Sequence, residues 1–102
     1  MGILTGLNVE KNLSYQVTEA LKGSTDVGEV IYQPGSRVPE VDFCAHDGSE
    51  LCYVSKGEVV FGTEEGEVVV KEGEFHYLKK GELHFCRNDY ENESRLLYIL
   101  VK

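Results

Sequence analysis

An all-β fold, a sandwich or closed barrel of antiparallel strands, is what this 102-residue sequence predicts. Three observations carry that reading. Runs of β-branched and aromatic residues recur at intervals of about eight to twelve residues. Eleven glycines and only two prolines punctuate them, as tight turns between short strands require. No stretch keeps apolar residues at helical spacing for three turns.

The strands follow in order. VTEALKG, Val17 to Gly23, is the best helix candidate and extends one or two turns at most. EVIYQ, Glu29 to Gln33, reads as a strand closed by the Pro34-Gly35 turn, and ELCYVS, Glu50 to Ser55, as another ended by Lys56-Gly57. EVVFG and EVVVK flank TEEG, Thr63 to Gly66, which predicts a hairpin with glycine at the tight position. EFHYL, Glu74 to Leu78, precedes a Lys79-Lys80-Gly81 turn, and LHFCRN follows it. RLLYILV, Arg95 to Val101, predicts a closing strand buried on both faces. No linker or repeat divides the chain, so residues 1–102 are expected to form a single domain.

Composition narrows the function. Charged residues make up 27% of the chain and apolar ones 41%, an ordinary globular balance. A net charge of −8 argues against nucleic acid and against anionic membrane surfaces, since both require basic patches. The longest apolar run, Leu96 to Val101, is far short of a membrane span. The N-terminal MGILTGLNVEKN lacks the basic start and long apolar stretch of a secretory signal. Three cysteines without a CxxC pair predict reduced thiols and a cytoplasmic location.

FCAHDGSELCYVSKG, Phe43 to Gly57, concentrates the chemistry. Alternate residues of a strand share a face, which pairs Cys44 with His46 and Glu50 with Cys52, and further on His84 with Cys86. A pocket lined by two histidines, a glutamate and up to three cysteines would need only two or three neighbouring strands. His46 and His84 are distant in sequence and must converge through the fold.

The spacing of these residues resembles the cupin superfamily over roughly Pro34 to Asn88. HDGSELCYVSKG is similar to the second half of the first cupin motif: His46, three residues, Glu50, six residues, Gly57. GEFHYLKKGELHFCRN resembles the second motif nearly whole: Gly73, five residues, the Lys79-Lys80-Gly81 turn, two residues, His84, three residues, Asn88. Glu58 to Glu72 separate the motifs, a gap of fifteen residues as in compact members. Two departures stand out. Gly35 is followed by eight residues rather than five, and Cys44 occupies the first His of the His-x-His pair. A rival alignment pins Pro39 and puts Val41 and Phe43 at the His-x-His positions.

The resemblance implies a double-stranded β-helix, or jelly-roll, barrel with one divalent metal ion (iron, zinc, manganese or nickel) at its mouth. His46, Glu50 and His84 would be the ligands, with Cys44 completing or bordering the set. Two histidines and a carboxylate suit iron(II), and a thiolate shifts preference toward zinc or iron. The family's chemistry makes an enzyme for a small oxygen-bearing metabolite the leading expectation: an isomerase, lyase or dioxygenase acting on a sugar or carboxylate. The alternative is a binding or sensor protein that captures a small ligand or metal without chemistry. Cys52 and Cys86 are expected to pack in the barrel, whereas His76 either points inward beside the site or lies exposed on its strand. A symmetric homodimer is expected as well, with Leu51 and Tyr53 on the outward parity of their strand as interface residues.

Overall fold

A computed structural model describes residues 26–102. The helix candidate at Val17 to Gly23 lies outside the described residues. Eight strands follow in chain order: β1 (Asp26–Tyr32), β2 (Arg37–Val38), β3 (Ser49–Lys56), β4 (Glu58–Thr63), β5 (Gly66–Lys71), β6 (Phe75–Leu78), β7 (His84–Arg87) and β8 (Ser94–Val101). They form two four-stranded sheets, ordered β1-β8-β3-β6 and β2-β7-β4-β5.

The pairing is nested. β1 pairs with β8, β2 with β7, β3 with β6 and β4 with β5, all antiparallel. A long hairpin folded over on itself in this way is a jelly roll, the double-stranded β-helix. Its innermost turn is the predicted hairpin, where Thr63 faces Gly66 across Glu64 and Glu65.

Period-two alternation explains the two faces of each sheet. Inner residues Cys52 and Val54 of β3, Val59 and Phe61 of β4, Leu78 of β6, Cys86 of β7 and Leu96 of β8 form one core with Tyr32 and Val70. Val54 and Val59 are 0% and 1% exposed, so the centre is fully dry. Asn88 closes the end of the sandwich that β7 leaves. Its amide donates to the carbonyls of Tyr32 and Asn92 at 2.9 Å each, and its side-chain oxygen accepts from the Tyr90 amide at 2.8 Å.

β2 was not foreseen, because two residues are too few to show any alternation. β8 meets the expectation of burial on both faces only in part: Leu96 is buried inward and Ile99, of the opposite parity, is 7% exposed, but Val101 at the strand's end is 39% exposed. On the outer face of that sheet Leu51 stands between Ile99 and Tyr77 in register, Leu51 and Ile99 both buried, and Tyr53 meets Phe75 with ring centroids 4.8 Å apart.

Candidate metal centre

The site is assembled by backbone pairing across the barrel mouth. Cys44 and His84 form an isolated antiparallel bridge, each amide donating to the other's carbonyl at 2.9 Å. Two residues on, the His46 carbonyl accepts from the Gly81 amide at 3.0 Å, which fastens this segment to the turn before β7. Gly81 takes a φ of 76° there, a left-handed conformation that glycine adopts without steric cost. Segment 44–46 and the first residue of β7 are thereby held side by side.

The side chains follow. One potential ligand atom from each of Cys44, His46 and His84 lies within 4.8 Å of the others. Cys44 Sγ is 3.7 Å from His84 Nε2, and the two imidazole centroids are 5.0 Å apart. His84 is 5% exposed, and its Nδ1 donates to the Glu82 carbonyl at 2.9 Å. That bond fixes the tautomer and leaves the Nε2 lone pair facing Cys44 and His46, as metal-ligating histidines require. Glu50 stands apart from the tight three-membered group but contacts it. Its carboxylate is 3.2 Å from His46 Nε2, and its side chain is 12% exposed.

Electrostatics fit a cation. Burial, and then the Glu50 carboxylate, push the Cys44 thiol above the usual cysteine value. A divalent ion at this place would displace the thiol proton, since the coordinating form of cysteine is the thiolate. The cavity behind the group encloses about 300 Å³, and Cys44, His46, Glu50 and His84 all line it. The only acidic or basic groups among its described lining residues, apart from the histidines, are Asp26 and Glu50, with no lysine or arginine beside them. A soft donor, two imidazoles and a nearby carboxylate are a donor set that suits zinc or iron.

Other residues fall elsewhere. Cys52 and Cys86 line the same cavity from the core, 1% and 3% exposed. Burial raises both thiols, that of Cys86 to about 12. His76 does not line that cavity; it stacks with centroids 4.3 Å apart on Phe61, which does, in a neighbouring pocket beside β5, and burial holds its imidazole below the usual value. Val41 is 71% exposed, and Phe43 packs against Phe85 with centroids 5.7 Å apart.

One contributor escaped the sequence reading. Arg37 donates to the carbonyls of Pro39 at 2.7 Å and Asp42 at 3.0 Å while its guanidinium lies 4.1 Å from the Phe85 ring centroid. It clamps the loop that delivers Cys44. Nothing local marks it, because its partners are main-chain oxygens and a ring on another strand.

Comparison with known proteins gives the same architecture. A family model described as a cupin domain matches residues 28–100. No curated protein matches the sequence. Among solved structures, one described as a predicted oxalate decarboxylase from Thermotoga maritima is similar at 26% identity and a TM-score of 0.69, over 82% of this chain and 72% of that one. A cupin-like protein from Thermotoga maritima reaches the same TM-score at 19% identity, over 82% of this chain and 62% of its own. An oxalate oxidase in complex with the substrate analogue glycolate has a TM-score of 0.63 and 23% identity, the match covering 72% of this chain and 39% of that one.

Proposed function

The chain belongs to the cupin family, and from that premise we propose that it is a mononuclear metal enzyme acting on a small oxygen-bearing metabolite. Cys44, His46 and His84 hold one divalent ion, and Glu50 supplies the carboxylate beside them. One observation carries the reading: three donor atoms of two soft-to-borderline types within 4.8 Å of one another, at the rim of a cavity of about 300 Å³. When bound, the ion supplies Lewis acidity or redox chemistry to a coordinated oxygen group. The chain's own contribution is to orient His84 through Glu82, to hold a negative carboxylate against His46, and to keep the space behind them apolar. Carboxylates are favoured over sugars as the substrate class, supported by the oxalate enzymes among the similar structures.

The test is elemental analysis of protein prepared without chelator or nickel resin, followed by turnover assays against small carboxylates with and without the retained metal. One equivalent of metal and metal-dependent turnover are expected. Equal metal content in wild type and His84→Ala would show the site assignment to be wrong.

A second reading has its own observation. All three cysteines of the chain line this one cavity, an arrangement suited to capturing a soft ion without chemistry. Tightly retained metal with no turnover on any carboxylate would favour it. Either way the three cysteines are free thiols, which supports a reducing compartment such as the cytoplasm.

A further inference from the structure

The cavity behind the donor group has a chemistry of its own, and it points to a kind of ligand. Its walls are Val30, Phe61, Leu78, Leu96, Tyr98 and Leu100, contributed by both sheets. The space of about 300 Å³ equals about ten liquid waters at ~30 Å³ each. A two-carbon dianion such as oxalate would fill only part of it.

Charge argues the same way. No lysine or arginine stands among the described lining residues, and the acids there are Asp26 and Glu50. A second carboxylate, directed past the metal into the cavity, would face Glu50 without a counter-charge, and an unpaired buried charge is strongly disfavoured. The deep polar groups are already satisfied. No buried side-chain nitrogen or oxygen among the described residues lacks a partner. Nothing there waits for a polar tail, whereas an apolar one would replace apolar surface already turned away from water.

We propose that the site takes a monocarboxylate bearing a 2-hydroxy or 2-keto oxygen and a hydrocarbon body of several carbons. The oxygen end lies at Cys44, His46, Glu50 and His84, and the body lies among Val30, Leu78 and Leu96. This rests on the metal-binding reading above and narrows its substrate class.

The experiment is calorimetric titration of the full-length, metal-loaded chain with oxalate, glycolate and a series of straight-chain 2-hydroxy acids lengthened one methylene at a time to six carbons, with metal content measured on the same samples. Each added methylene is expected to tighten Kd by about fourfold until the cavity is full. Val30→Phe, which occupies part of the wall space, is expected to move the tightest binding to a shorter acid while metal content stays at the wild-type level. An affinity that is flat with chain length, or oxalate binding more tightly than the six-carbon acid, overturns the inference while stoichiometric metal leaves the metal reading standing. Wild-type protein that binds no metal overturns both.

Discussion

At the scale of single residues, His84 is the hinge of the site, because one side chain is buried, tautomer-fixed by Glu82 and turned toward two further donors. His84→Ala is expected to abolish stoichiometric metal binding and to lower the melting temperature of metal-loaded protein, with little effect on the chelated form. Paired thermal melts with and without chelator check this. Cys44→Ser replaces the soft donor by a hard one and should shift metal preference away from zinc, measured by competition between zinc and manganese. An unchanged preference would mean that Cys44 only packs. The other two cysteines, nearly without exposure, should resist alkylation in the native protein and react only in denaturant, which mass spectrometry reads directly. Asn88, fully buried and joined to three backbone groups, is a structural residue despite its place at the end of the second motif. Asn88→Ala should cost about 1–3 kcal/mol for the carbonyls and amide it leaves unpaired, measurable by denaturant unfolding.

At the scale of elements, the segment between β2 and β3 has no strand ladder of its own and depends on clamps at both ends. Arg37 holds its start through the Pro39 and Asp42 carbonyls, and the bridge to His84 holds Cys44. Asp42 has a φ of 60°, a left-handed conformation that aspartate tolerates better than most side chains. Arg37→Ala should therefore weaken metal affinity by about tenfold, roughly one charge-assisted hydrogen bond, while the melting temperature of the chelated protein changes little. Unchanged metal affinity would show that the bridge alone positions the loop. β4 and β7 have a different constraint. A Cβ at Gly62 would lie 2.1 Å from the Phe85 ring, so the ring that supports Arg37 needs glycine beneath it. Gly62→Ala forces that ring aside, which overpacking of this kind makes worth about 1–3 kcal/mol.

At the scale of the whole molecule, the outer face of the β1-β8-β3-β6 sheet is the conspicuous surface. Ile31, Phe75, Tyr77 and Val101 are between 38% and 48% exposed and Tyr53 and Leu97 of the same parity are half-buried, while Leu51 and Ile99 between them are already buried within the chain. We propose that two copies bury it in a symmetric homodimer, the common solution for an apolar sheet face. Sedimentation at micromolar concentration is expected to show a dimer, and Tyr77→Lys to shift it toward monomer. A wild-type monomer under the same conditions would remove the proposal. Among the described residues, no helix is long and apolar enough to cross a membrane.

Much of this was legible locally. Strand positions follow from period-two alternation, and turns from glycines such as Gly66 and Gly81, because both signals depend only on neighbouring residues. The motif spacing singled out His46, Glu50 and His84 for the same reason: a turn of set length places the residue after it at a set point on the next strand. Pairing is another matter. Nothing in RVPEVDFCAH announces that Arg37 and Val38 join β7, or that Cys44 bridges His84, since those partners are chosen by the nested closure of the whole chain. The same closure sends His76 onto Phe61 and away from the cavity, although its parity alone allowed either place. It also separates Glu50 from the tight trio while leaving it against His46. The sequence by itself determined the strands, the turns and the kinds of donor available. Only the tertiary structure decided which donors meet, because distances between residues far apart in the chain are set by packing and long-range pairing, which no local pattern encodes.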